Sequence, residues 1–222
     1  MALDLVLLAI LLAAGSGLPA LLLPRRSAWG QYIATFLVVL SAAAGLAGAS
    51  MGIFSPASAA LVFPWPALGD SLVGLDPLGA FFLVPIFFVG ALSSIYGLGY
   101  FPQARNPRKA RSLQFFFGLM MGGMALLVIA RHALAFLFGW EAMALSAFFL
   151  IAAEDEKVEC RRSSLVYLVA THLGTLILFG MFALWRSMTG SFELSPFAGA
   201  AAAGTMSIVF AMALVGFGVK AG

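Results

Sequence analysis

The chain has 222 residues, of which 63% are hydrophobic and 9% are charged, and its mean hydropathy is +1.06. A soluble domain is about 45–50% apolar and about 25% charged, so this composition excludes a soluble globular domain and a disordered chain. The net charge of +3 is too small for a nucleic-acid-binding face, which concentrates basic residues. The single cysteine, Cys160, excludes an internal disulfide and any cysteine-based cluster or zinc site within the chain.

Seven apolar stretches are each long enough to cross a bilayer as a helix, which takes about 20 residues. They lie at 4–23, 31–54, 77–99, 113–130, 133–152, 164–185 and 203–222. Strands of a membrane barrel would alternate over about 10 residues, whereas these runs are continuous. Positive charge follows the first stretch and does not precede it, so we expect a retained helix and not a cleaved signal peptide. The fold class predicted is an all-α polytopic membrane protein with about seven transmembrane helices.

Basic residues alternate from one predicted connection to the next. The segments 24–30, 100–112 and 153–163 carry nine of the 12 Lys and Arg residues, and they fall on one side of the membrane. Lys and Arg collect in cytoplasmic loops, so we expect these segments inside and the N-terminus outside. The sequence pI of 9.4 then reports topology and not an anionic partner.

The connection 55–76 contains three prolines and no basic residue. We expect an irregular loop there, with Phe63 and Trp65 at the outer membrane interface, where aromatic rings are favoured. The segment 153–163 mixes acids and bases. It is predicted to be a solvated turn or docking surface, whose acidic residues 154–156 could also gather protons.

Three ionisable residues lie inside predicted spans: Glu141, His172 and Lys220. A charge at the centre of a span costs at least ~2.5–3.5 kcal/mol, which makes each one a functional hypothesis. Glu141 lies eight residues into its stretch, ~12 Å deep. It is either a neutral carboxylic acid bonded to a neighbour or a carboxylate in a proton path, and the second interpretation is favoured.

His172 and Lys220 each have a plainer interpretation as well. A lone histidine is often a packing residue, and a lysine near a helix end often extends to the membrane surface. Alternatively the three residues form a lateral proton relay through water, with Tyr167, Thr171 and Thr175 seating water near His172. His132 and Arg131 are expected at the outer end of a helix. The two histidines are not spaced for haem or metal, and no cofactor is expected.

Three segments match a known family in the same order: FLFGWEAMALSAFFLIA at 136–152, YLVATHLGTLILF at 167–179 and GFGVKAG at 216–222. With LDPLGAFFLVPI at 75–86, where Asp76 opens a helix, they resemble the antiporter-like proton-translocating subunits of respiratory complex I. Within that family, the segments resemble most the large membrane subunit of group 4 hydrogenases, such as hydrogenase-4 and formate hydrogenlyase.

This resemblance implies that Glu141 and Lys220 form a charge pair in a proton half-channel and that His172 belongs to the same path. It implies no redox centre, partner membrane and redox subunits, and a multi-pass location in the inner (plasma) membrane. Family members have about fourteen helices in two inverted repeats. We therefore expect an N-terminal portion, with helices one to three at 1–112 and an incomplete first repeat at 113–222.

Two other functions remain open at this point. The same helices serve subunits of multi-subunit cation/proton antiporters, which use no electrons. A non-enzymatic seven-helix receptor or scaffold also fits the count of spans, although the very short loops and the ionisable residues inside the spans speak against it. In each case the lipid bilayer is the surrounding partner, and no nucleic acid is involved.

Overall fold

A computed structural model of the chain describes residues 1–24, 27–55, 59–65, 69–154, 156–196 and 203–221. Within these ranges the elements are α1 (Ala2–Gly15), α2 (Leu18–Leu22), α3 (Trp29–Ile53), β1 (Ala59–Trp65), β2 (Gly69–Leu75), α4 (Pro77–Tyr100), α5 (Pro107–Ile129), α6 (Ala133–Ile151), α7 (Val158–Thr189) and α8 (Ala203–Ala221). Seven of the described helical segments are long and apolar enough to cross a membrane, with α1 and α2 forming one of them. The predicted all-α class and the seven spans are confirmed.

Two helices, α5 and α7, start six residues earlier than the predicted spans. Helix α5 begins at Pro107 and α7 at Val158, so five of the basic residues assigned to loops lie on helical turns: Arg108, Lys109, Arg111, Arg161 and Arg162. Hydropathy marks the part of a helix that contacts hydrocarbon, and Lys, Arg and Glu are themselves good helix formers. The connection between α6 and α7 is correspondingly short, with a 3-10 turn at Ala152–Glu154.

The predicted loop at 55–76 contains an antiparallel β-hairpin. Strand β1 pairs with β2 from Ala59 opposite Leu75 to Trp65 opposite Gly69. Cross-strand hydrogen bonds satisfy backbone groups in this apolar segment, which is why it is not irregular. Pro64, which has no amide hydrogen to donate, is tolerated because β1 is an edge strand within the described sheet. The side chains of Phe63 and Trp65 lie outside the described part of the structure.

The helices pack around two apolar cores. The first core joins α1, α3, α4 and α5, and its largest buried side chains include Leu83, Phe87 and Met121. The second core joins α6, α7 and α8 around Leu137, Leu178 and neighbouring side chains. Helices α5 and α6 connect the two cores through glycines. A Cβ added at Gly123 would lie 2.9 Å from the backbone nitrogen of Met143.

The three basic connections lie on one face of the molecule. Lys109 Nζ is 2.8 Å from Glu156 Oε1, which joins the start of α5 to the α6–α7 connection. Gln103 Nε2 donates to the carbonyl oxygen of Ser27 at 2.9 Å, which joins the α4–α5 connection to the segment before α3. These contacts confirm the alternation of the two faces, and the assignment of the basic face to the cytoplasm stays a prediction.

An ion pair ties the starts of two helices together on the opposite face. Asp76 caps α4 by accepting a hydrogen bond from the Gly79 amide at 2.6 Å, which confirms that it opens this helix. Its other carboxylate oxygen, Oδ2, lies 2.8 Å from Arg131 Nη2. The Arg131 amide also donates to the Leu72 carbonyl oxygen at 2.9 Å, so the hairpin is fixed to the α5–α6 connection.

His132 caps the next helix. Its Nδ1 accepts from the Leu134 amide at 3.3 Å at the start of α6. Burial lowers the pKa of His132, and the nearby Glu193 carboxylate opposes that shift. A lowered pKa keeps the imidazole neutral, as an accepting Nδ1 requires. The start of α6, and with it the height of Glu141 in the membrane, is thereby anchored.

The predicted orientation has a direct test in Cys160, which lies in the first turn of α7 and is partly exposed. A membrane-impermeant maleimide is expected to label Cys160 in inverted vesicles and not in intact cells, because the basic face is predicted to be cytoplasmic. In a Cys160→Ser background, Ser191→Cys on the opposite face should show the reverse pattern. Labelling of Cys160 from outside intact cells would show that the orientation is wrong.

The contact between α5 and α6 has its own test in Gly123→Ala. The added methyl group meets backbone atoms of Met143 and Gly139, which cannot move aside. Such overpacking costs about 1–3 kcal/mol, so the melting midpoint of the purified protein should fall by several degrees. Gly99→Ala, which meets nothing within 4 Å in α4, is the matched control and should not lower it. Equal midpoints for the two variants would contradict the close approach.

Candidate functional site

The site is centred on Glu141, which lies in the middle of α6 between apolar turns. Eight residues separate it from the first residue of the helix, a rise of ~12 Å, which places it at mid-membrane depth. Its carboxylate is directed toward α7 and α8, where it contacts residues of both helices. The site is therefore assembled from three helices.

Lys220 of α8 forms the shorter of the two ionic contacts that Glu141 makes with α7 and α8. Its Nζ lies 2.8 Å from Glu141 Oε1, and its side chain is 0% exposed against 25% for Glu141. The ammonium also lies 5.2 Å from the ring centroid of Trp140, a cation–π distance. Lys220 therefore does not extend to the membrane surface. It is fully enclosed between a carboxylate and an aromatic face.

His172 of α7 approaches the other carboxylate oxygen. The distance from its Nε2 to Glu141 Oε2 is 3.5 Å, and its Nδ1 lies 2.9 Å from the carbonyl oxygen of Leu168. A carbonyl oxygen only accepts, so Nδ1 carries the hydrogen and the tautomer is fixed. Nε2 is consequently the nitrogen that gains or loses a proton, and it is the one that faces Glu141.

Thr175 is a third neighbour of the carboxylate. Its hydroxyl contacts Glu141 Oε1 and also lies 3.0 Å from the Thr171 carbonyl oxygen. A hydroxyl has one hydrogen, so it donates to one of these oxygens at a time. The Thr171 hydroxyl donates to the Leu168 carbonyl oxygen at 3.0 Å, and its role in seating water stays a prediction. The phenol of Tyr167 is near enough to the Glu141 carboxylate to interact with it electrostatically.

A glycine contact lets α8 reach the site. A Cβ added at Gly174 would lie 2.8 Å from Cγ of Lys220 and 3.2 Å from the Gly216 carbonyl oxygen. Gly174 thus leaves room for the lysine stem against α7. Both Gly174 and Trp140 lie within the segments that carry the family resemblance, where neither was given a role of its own. Gly174 lies between His172 and Thr175 in the sequence, and Trp140 directly precedes Glu141.

The structure brings together the three residues that were predicted from different helices. Glu141 occupies the centre, with Lys220 on one oxygen and His172 on the other. His172 is 46% exposed on the outer surface of α7, so one side of the cluster is open. Within the described ranges, no three His, Cys, Asp or Glu residues are close enough to hold a metal ion.

A family model described as "NADH:quinone oxidoreductase/Mrp antiporter, TM" matches residues 130–222, the segment that contains all three site residues. Hydrogenase-4 component B of Escherichia coli (strain K12) is 29% identical over 154 residues, which cover 69% of this chain and 23% of that protein. NADH-quinone oxidoreductase subunit L of Mycobacterium tuberculosis is 31% identical over 150 residues, which cover 64% of this chain and 23% of that protein.

The fold has a solved counterpart in the structure of the Mrp complex from Dietzia sp. DQ12-45-1b. The TM-score is 0.77 at 22% identity, over 98% of this chain and 23% of that chain. The chain thus spans about a quarter of the length of the relatives it matches. With its seven apolar helices it is an integral multi-pass membrane protein. The chain belongs to the antiporter-like family of complex I and group 4 hydrogenase membrane subunits.

Proposed function

We propose that this chain is part of a proton-translocating membrane subunit of a redox-driven complex, of the hydrogenase-4, formate hydrogenlyase or NADH dehydrogenase type. The observation that carries the proposal is the carboxylate of Glu141 at mid-membrane depth, between a buried ammonium at 2.8 Å and an imidazole at 3.5 Å. Ionisable groups are costly there and mark ion and proton pathways. The relatives described above support the same assignment.

In this proposal a proton reaches Glu141 from His172. A protonated Nε2 faces Glu141 Oε2, and a shift of the proton across that contact leaves a neutral acid and a neutral imidazole. Nδ1 keeps its hydrogen on the Leu168 carbonyl oxygen throughout, so the ring does not need to turn. The His172 side chain is 46% exposed on this chain, so in this proposal the next proton reaches the imidazole from groups or water that lie against that surface.

Protonation of Glu141 removes the negative charge that stabilises the Lys220 ammonium. The ammonium is fully buried, and the carboxylate is its ionic partner among the described residues. A buried charge that loses its partner is strongly destabilised, by about 3–5 kcal/mol. Neutral Glu141 therefore favours release of a proton from Lys220 or movement of its side chain.

The chain contributes proton transfer and no redox chemistry in this proposal, so partner subunits must supply the driving reaction. We propose other membrane and redox subunits as these partners, and the inner (plasma) membrane as the location. Residues 113–222 would form the beginning of the first antiporter-like repeat, and 1–112 the preceding three spans. The relatives' complexes support this assignment.

A second candidate is a subunit of a multi-subunit cation/proton antiporter. The similarity in fold to a chain of the Mrp complex favours it. The two candidates differ in their energy source. Proton uptake that follows an imposed sodium gradient in vesicles, with no electron donor present, would support the antiporter. Uptake that requires an electron donor would support the redox-driven complex.

Glu141→Gln tests the proposed role of the carboxylate. The amide keeps the shape of the side chain but accepts no proton, so donor-driven proton uptake should fall about tenfold or more. Uptake is measured with a pH-sensitive dye in inverted vesicles that contain the assembled complex. Glu159→Gln is the matched control, because Glu159 is an exposed carboxylate in the first turn of α7, outside the Glu141 cluster. Normal uptake in assembled Glu141→Gln complex would refute the role and favour a scaffold.

Lys220→Arg separates a fixed charge from a proton carrier. Arginine stays protonated in proteins, so it preserves the ion pair and stops proton release. If Lys220 gives up a proton in each cycle, the assembled variant should translocate protons at least about tenfold more slowly. Lys220→Met, which leaves the Glu141 charge without its ammonium, should be at least as slow. Wild-type rates in Lys220→Arg would show that Lys220 acts only as a fixed charge.

A further inference from the structure

A surface cavity of about 440 Å³ lies on the basic face, beside the first turns of α5. None of the described residues that line it belongs to the Glu141 cluster. Its lining combines two guanidinium groups, a hydroxyl, two aromatic rings and an aliphatic side chain: Arg108, Arg111, Ser112, Phe115, Phe116 and Leu21. Among the residues that the structure describes, no acidic side chain lines it. The cavity therefore presents positive charge and apolar surface together.

The polarity of this cavity changes along α5. Arg108, Ser112 and Phe115 recur at helical spacing, so they share one face of the helix. From Arg108 to Phe116 the helix rises ~12 Å. Arg108 lies in the first turn, whereas the two phenylalanines lie where the apolar part of the span begins. The cavity is thus cationic at the membrane surface and apolar toward the hydrocarbon. An amphiphilic anion has the complementary arrangement of charge and apolar surface.

The two arginines are held in different ways. Arg111 donates through Nε and Nη2 to the carbonyl oxygens of Ala20 and Leu21 at the end of α2, which fixes its guanidinium and leaves further N–H groups available. The neighbouring Lys109 forms an ion pair with Glu156, with its Nζ 2.8 Å from Glu156 Oε1. Arg108 is exposed and has no ion pair with any carboxylate in the described ranges. The Arg111 guanidinium is therefore held in place, and the positive charge of Arg108 has no ionic partner among the described residues.

We propose that this cavity binds an anionic phospholipid of the surrounding bilayer. The phosphate group accepts hydrogen bonds from Arg108, Arg111 and the Ser112 hydroxyl, and one acyl chain lies against Phe115 and Phe116. Guanidinium groups bind phosphate oxygens in bidentate fashion, and basic pockets at the ends of transmembrane helices are suited to anionic headgroups. A phospholipid matches both the charged and the apolar end of the cavity, whereas a soluble anion matches only the charged end.

The test counts lipids bound to the delipidated full-length protein by native mass spectrometry during titration. Dioleoylphosphatidylglycerol is expected to bind at least fivefold more tightly than dioleoylphosphatidylcholine. Arg108→Gln should weaken its binding about fivefold, the effect of one basic residue at a membrane surface. Arg105→Gln is the matched control, since Arg105 is exposed in the connection before α5 and does not line the cavity. It should leave the affinity unchanged.

Two further probes separate a lipid from a soluble anion. Dihexanoylphosphatidylglycerol, which has the same headgroup and short chains, should bind more weakly than the dioleoyl lipid. Inorganic phosphate at the same concentration should not displace the dioleoyl lipid. Equal binding of the two dioleoyl lipids, equal losses in Arg108→Gln and Arg105→Gln, or full displacement by phosphate would each overturn the proposal. Melting midpoints of both variants confirm that the fold is intact.

Discussion

The contact between Glu141 and Lys220 joins two charges inside helices that are otherwise apolar, and the arrangement of α6, α7 and α8 depends on it. The lysine side chain is 0% exposed and the glutamate side chain 25%, so the ammonium in particular depends on its partner within the protein. Removing one partner of a buried pair costs about 3–5 kcal/mol. A proton that neutralises the carboxylate has a comparable effect, so proton transfer at Glu141 changes the stability of the α6–α8 contact.

Several local features place this pair at the required depth. His132 caps α6, and the ion pair of Asp76 with Arg131 fixes the neighbouring α5–α6 connection to the start of α4. Gly174 allows the stem of Lys220 to pass close to α7. These contacts are a helix cap, an ion pair between helix ends and close packing at a glycine. The site is therefore carried by rigid elements, and the freedom needed for proton transfer is left to side chains and hydrogens.

The sequence predicted the seven spans, their alternating faces and the three ionisable site residues, because each of these is marked by hydropathy or by a charge in an apolar run. The contact between Glu141 and Lys220 was expected from the family resemblance and not from the residue pattern, because 79 residues separate the two and helix neighbours are set by packing. The hairpin at β1 and β2 was missed because its prolines and apolar residues have no clear alternation. The helical starts at Pro107 and Val158 were missed because charged residues can continue a helix outside hydrocarbon.

The central claim is that Glu141 changes its protonation state at mid-membrane depth. Infrared difference spectroscopy of the assembled complex measures this directly, through the C=O stretching band of a protonated carboxyl group. We predict a band that appears when the complex is driven by its electron donor, shifts in deuterium oxide and is missing in Glu141→Gln. A driven complex that translocates protons without any carboxyl band attributable to Glu141 would contradict the account.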